Sequence, residues 1–164
     1  MQTSTTSTTD TSSPRYLAPG FVTRRIMNPL VAVATRRGVG LAGSRVLTVQ
    51  GRTSGLPRQT VVNLLELDGQ RYLVAPRGTT EWVRNLRVAG EASLRVGRRT
   101  ESVTAVELED AAKVLVLREY LRRWGWEVGA FFEGISADST DGELAAIAPD
   151  FPVFRLVAPL GPRA

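Results

Sequence analysis

Apolar and polar residues alternate with a period of two in several stretches of this chain, the mark of strands with one buried face. Arg45–Gln50 puts Leu47 and Val49 on one side. Pro57–Leu67 is a β-branched and leucine run, Asp68-Gly69 is a strong two-residue hairpin turn, and Arg71–Ala75 returns as the next strand. Ala92–Gly97 alternates again, Gly97-Arg98-Arg99 turns into Thr100–Leu108, and Val153–Ala158 supplies a late strand. About six strands, most in hairpin order, tend to close into a barrel because closure removes exposed edges. Three segments carry a helical period instead. Thr80–Ala89 has Thr79 or Thr80 as N-cap, Glu81 in the first turn and Gly90 as its stop. Asp110–Trp124 repeats Val114, Leu117, Leu121 and Trp124 at spacings of three and four, and Thr140–Ile147 is the third. The pattern predicts a mainly β, α+β fold: a small antiparallel barrel with helices packed around it.

The N-terminal region reads differently. Ten of the first thirteen residues are Ser or Thr, too polar to bury a core, so residues 1–14 are expected to be a disordered tail and residues 15–164 a single domain. The tail lacks the charged start and apolar centre of a secretory signal. Asn28–Arg37 is expected to be a short amphipathic helix, with Pro29 in its first turn and Arg36 and Arg37 in its last. It either packs on the core or lies on an anionic membrane as a peripheral contact. No run approaches the roughly 18 apolar residues of a membrane span. The expected location is cytoplasmic, with membrane association as the variant in which that helix touches lipid.

Composition narrows the chemistry. The 164 residues contain neither cysteine nor histidine. Disulfides, thiolate and imidazole metal sites, cysteine nucleophiles and Ser-His-Asp triads are therefore excluded. No metal is expected, no acid/base pair stands out, and the catalytic residues stay unassigned. Hard chemistry would have to come from a bound cofactor. The net charge is +5, and every basic residue except Lys113 is arginine. Eight arginines and no acid lie between Arg15 and Arg58. One end of the fold is accordingly expected to present a positive field to an anionic partner. Nucleic acid is not the expected partner, because the aromatics are not interleaved with the arginines as stacking platforms would be.

Four segments are candidate sites. In Gly51-Arg52-Thr53-Ser54-Gly55, followed by Arg58, glycines would let the backbone approach a ligand and the two guanidinium groups would grip phosphate; the same residues also suit an ordinary hairpin turn. Ala75-Pro76-Arg77-Gly78 leads from a strand into a helix N-terminus, a natural anion site or a plain connection. On that helix Trp82, Asn85, Leu86 and Ala89 share a face. Trp82 and Asn85 either frame a planar polar ligand or belong to the core. Trp124, Trp126, Phe131 and Phe132, interspersed with glycines, either pack or wall a hydrophobic pocket.

Taken in order, LTVQGRTSGLPRQT, YLVAPRG and TEWVRNLRVAGEASLRVGRR resemble the deazaflavin-dependent nitroreductase family, actinobacterial oxidoreductases that use reduced coenzyme F-420. The resemblance covers about Arg45 to Leu108. It implies a split β-barrel of the FMN-binding-protein kind and hydride transfer from reduced deazaflavin to a quinone, nitroaromatic or activated alkene. By motif, it implies that Arg52, Thr53 and Arg58 hold the cofactor's phosphate and acidic tail. Pro76, Arg77 and Gly78 would contact the cofactor from the second loop, and Trp82 and Asn85 from the helix. Val61 and Val74 would underlie the ring. Trp124, Trp126 and Phe131 occupy the region where the family contacts its small hydrophobic acceptor. The second loop departs from the family, reading Pro-Arg-Gly where many members carry a Ser-x-Gly-Gly type. A non-catalytic deazaflavin or flavin carrier, and an FMN-dependent reductase on the same barrel, remain the alternatives. The oligomeric state is left open.

Overall fold

The structure is a computed structural model and describes residues 43–159. The expected tail (1–14) and the Asn28–Arg37 helix lie outside the described residues. Six antiparallel strands close a barrel in the order β1-β2-β3-β6-β5-β4. They are β1 (Ser44–Gln50), β2 (Pro57–Leu67), β3 (Gln70–Val74), β4 (Glu91–Val96), β5 (Arg99–Glu107) and β6 (Val153–Val157). Three α-helices are interposed among the described residues: α1 (Glu81–Ala89), α2 (Val114–Val128) and α3 (Asp141–Ile147). The β2–β3 hairpin turns on Asp68 (φ +50°) and Gly69 (φ +72°), the left-handed pair that a two-residue turn of this hand requires.

Alternation along each strand sorts side chains into two cores. One set fills the lumen: Leu47, Val62, Leu64, Leu73, Leu94 and Leu156 form one cluster there. The α1 helix plugs one end, where Val83 and Leu86 pack with Val49, Ala75 and Phe154. The other set lies outside the barrel wall. There Leu65, Val74 and Val153 meet Leu117, Tyr120, Leu121 and Trp124 of α2, and Leu144 of α3.

The helix ends show what local sequence does. A capping box starts α3: Glu143 N donates to Thr140 Oγ1 at 3.2 Å, and Thr140 N donates to Glu143 Oε2 at 2.7 Å. These donors, the Thr140 backbone first and its hydroxyl second, hold the Glu143 carboxyl below the usual carboxylate range. The box is thus intact above the ordinary carboxyl range and is lost as pH falls through the lowered value. Thr140→Ala is expected to cost about 1 kcal/mol in a denaturant melt at neutral pH; an unchanged midpoint would show that the cap contributes nothing. The α2 helix starts later and ends later than the periodicity predicts. Residues Asp110–Ala112 form a separate 3-10 turn. Gly125 does not stop the helix, because it faces open space while Val128 extends the buried row.

Of the run of arginines, the three described residues do not make one positive face. Arg45 stands at the start of β1, whereas Arg58 pairs with Val49 near its other end and Arg52 lies in the turn beyond it. Four residues of strand, about 13 Å, separate Arg45 from the level of Arg58.

Candidate functional site

The site lies at the barrel end that α1 closes. The β1–β2 connection is tied by Gly51 N to Leu56 O and Gly55 N to Gly51 O, both 2.8 Å. A side chain at Gly51 would lie 2.9 Å from Ser54 Oγ and 3.1 Å from Leu56 O. That glycine therefore lets the turn fold on itself, and the turn's own atoms take the space that the sequence suggested for a ligand. Arg52 leaves this turn towards α1. Its backbone N–H donates to Asn85 Oδ1 at 3.1 Å, and its Nη1 donates to Asn85 Oδ1 at 3.0 Å and to Glu81 Oε2 at 2.8 Å. Asn85 is only 4% exposed. A buried amide oxygen must be satisfied, and here Arg52 supplies both donors. Asn85 thus docks the turn onto the helix rather than standing free as an amide for a ligand.

Glu81 is the residue that sequence reasoning missed. Read as a first-turn acid favouring the helix dipole, it also accepts from Arg84 at 3.2 Å. The Arg52 hydrogen bond, and then the Arg52 charge, hold its carboxyl below the usual carboxylate range. Its only sequence signal was its place one helical turn before Asn85. Thr53 is exposed in the turn. Arg58 is exposed, with Cγ 3.4 Å from the position a side chain on Gly51 would take.

The second loop approaches the same helix. Gly78, in the left-handed region (φ +74°), donates to Ala75 O at 3.0 Å, and Thr80 N donates to Gly78 O at 2.9 Å. Pro76 is half-buried and Arg77 is exposed. Thr80 stands at the N-cap of α1 but makes no side-chain cap, and its Oγ1 is buried without a hydrogen-bond partner among the described residues. An uncapped nine-residue helix with an orphaned hydroxyl at its start, flanked by Arg52 and Arg84, which share Glu81, is a donor-rich locus that suits an anionic group.

Other predicted residues are placed elsewhere. Trp82 is half-buried and turned into the barrel end, 5.9 Å from the Phe154 ring centroid. Val61 is half-buried beside Val46 on the outer wall. Val74 is a correction: one residue after the lumen-facing Leu73, it points outward and is buried under α2 and α3. It has no surface to underlie a ring. Trp124 is also corrected. It is 6% exposed, its ring 5.0 Å from Tyr120, and it fills the core. Trp126 is 73% exposed, its indole N–H bonded to Arg123 O at 3.2 Å. Of the three acceptor candidates only Phe131 meets the second loop, with Arg77 Cζ 5.8 Å from its ring centroid. A cavity of about 350 Å³ opens there, lined by Phe131, Phe132, Ile135, Ile147 and Phe151, with Glu133 and Asp150 at its edge.

Comparison with known proteins follows the same lines. The sequence model described as F420H(2)-dependent quinone reductase matches residues 24–126. Among solved structures, an F420-H2 dependent reductase (FDR-A) is similar at 19% identity, over 70% of this chain and 94% of that one, with a TM-score of 0.49. The protein Atu2129 from Agrobacterium tumefaciens str. C58 is similar at 19% identity, over 89% of this chain and 59% of that one, with a TM-score of 0.52. The latter likeness supports the barrel fold. No curated protein matches. No described helix is long and apolar enough to cross a membrane. With the family match spanning well over half of its length, the chain belongs to the F420H(2)-dependent quinone reductase family and is an oxidoreductase that uses reduced F-420.

Proposed function

We propose that the α1 end of the barrel binds the anionic part of F-420 and that the Phe131 cavity beside it receives a small, flat, hydrophobic acceptor. The observation that carries this is a helix start where Arg52 and Arg84 both reach Glu81 and where the buried Thr80 hydroxyl has no partner among the described residues. Reduced F-420, when bound, supplies a hydride, and a solvent proton completes the two-electron reduction of a quinone, nitroaromatic or activated alkene.

The protein's part is to bind and orient. Arg52, Thr53 and Arg58 hold phosphate and acidic tail from the first turn. Arg77 and Gly78, braced by Pro76, approach from the second. Trp82 and Asn85 fix the helix against barrel and turn, and through them the spacing of the two arginine-bearing loops. Val61 offers a half-buried apolar wall outside the barrel. The buried Tyr120 phenol is no proton source for the acceptor. Burial first, and the Glu127 charge second, push it above the usual tyrosine range, and it sits in the α2 core.

Glu81 competes with any anion for Arg52. Glu81→Gln is expected to tighten F-420 binding about threefold at low salt, an effect that vanishes in high salt because the groups are exposed. Weaker binding would show instead that Glu81 positions Arg52. The reading as a whole is tested by titrating the protein with F-420 and, separately, with FMN. Reduced F-420 is then offered with a panel of neutral quinones, nitroaromatics and enones. Preference for F-420 with turnover of at least one acceptor class is expected. Tighter FMN binding would move the protein to flavin chemistry, and binding without turnover would make it a carrier.

A further inference from the structure

At the opposite end of the barrel the inward rows end in charge instead of aliphatic side chains. Beyond Leu47, Leu64, Leu73 and Val103, the same alternation places Arg45, Glu66, Arg71 and Glu101 at the mouth. These residues, with Arg99, line a cavity of about 270 Å³ floored by Leu64, Leu94 and Val96. Arg71 and Glu101 belong to strands that are not neighbours, since β6 lies between them. Their 2.5 Å ion pair therefore spans the opening and neutralises both. Arg45 and Arg99 are left over. Val96 pairs with Arg99, and Arg45 lies one step beyond the Val46–Arg95 pair, so Arg45 and Arg99 flank Val96 on either side. Their strands are two spacings apart, about 10 Å. Among the described residues neither has a carboxylate within ion-pair distance. The Arg45 side chain donates, among the described residues, to the neighbouring Ser44 O, at 2.9 Å.

We propose that this mouth is a second ligand site, separate from the α1 end, which binds a small monocarboxylate with an apolar body. The carboxylate sits between Arg45 and Arg99, where a planar fork matches it, and the apolar body covers Leu64, Leu94 and Val96. Glu66 stands at the same opening with no ion-pair partner among the described residues. Its charge disfavours a dianion such as phosphate and selects a single negative charge.

The test uses the full chain, with benzoate as probe and backbone amide NMR as readout. Benzoate is expected to shift amides around Arg45, Val96 and Arg99 with a dissociation constant on the order of 1 mM, as suits so small a ligand. Arg45→Gln and Arg99→Gln should each weaken it at least about fivefold while the melting temperature and F-420 affinity stay unchanged. Benzyl alcohol and inorganic phosphate should bind at least about tenfold more weakly. No shifts at tens of millimolar benzoate, on the order of ten times that constant, would overturn the proposal. So would equal binding of phosphate, or benzoate affinity unaffected by both substitutions.

Discussion

Arg52→Ala is expected to weaken F-420 binding by roughly ten- to a hundredfold, the largest functional effect of any single change in the site. Two losses combine. The guanidinium no longer meets the ligand's phosphate, and a hydrogen bond to a charged partner contributes about 1.5–3 kcal/mol, with each 1.4 kcal/mol worth a factor of ten. Arg52 Nη1 also leaves Asn85 Oδ1 and Glu81, so Glu81 keeps only Arg84 as a partner and adds negative charge at the helix start. The backbone bond from Arg52 N to Asn85 remains, and the turn should stay docked. The melting temperature should therefore barely move. Fluorescence titration of wild type and variant checks the affinity, and a thermal melt checks the fold. Affinity within twofold of wild type would remove Arg52 from the site. Arg52→Lys should recover only part of the loss, because an ammonium cannot reproduce the two-pronged geometry.

Lys113→Ala is expected to have the largest effect on stability. The chain's only lysine is buried, 4% of its side chain exposed. It joins the start of α2 to the end of α3, donating to Asp110 Oδ1 at 2.7 Å and to Ala148 O at 3.0 Å. Truncation empties the space its stem fills and strips the buried Ala148 carbonyl of a donor, together about 3 kcal/mol. For a domain of this size that is roughly 6–12 °C in melting temperature. Lys113→Met keeps the stem and should lose about half as much. Asp110→Asn should lose least, because that carboxylate is 55% exposed and screened by water. Calorimetry of the three variants measures the order. A Lys113→Ala protein melting within a degree of wild type would contradict it.

The barrel was legible because period-two alternation survives wherever one strand face is buried, and because Asp68-Gly69 permits one kind of turn. Strand ends moved by only a residue. What the pattern did not carry was which apolar face meets which neighbour. Leu73 and Val74 are adjacent and equally apolar, yet one fills the lumen and the other lies under α2. An aromatic that fills a core and one that walls a pocket are the same letter, so Trp124 and Phe131 looked alike. Arg45, Arg52 and Arg58 looked like one patch because linear spacing hides the length of β1. Pairings between distant segments were the least visible. Glu81 read as a helix-dipole acid, and Glu107 carried no signal of a partner. In the structure Glu81 holds Arg52, and Glu107 accepts from Arg87 Nε and Nη2 at 2.8 and 2.7 Å. The cofactor class was legible because three glycine- and arginine-bearing segments occur in order. Which of their groups are already engaged within the protein depends on tertiary contacts.

The central claim is that the α1 end of the barrel seats the cofactor's anionic part. Mapping backbone amide shifts while F-420 is added to the full chain tests it most directly. The predicted perturbations cluster in residues 51–58 and 76–85, with those around Arg45 and Arg99 silent. Shifts confined to that far mouth, or spread over the surface without a cluster, would contradict it.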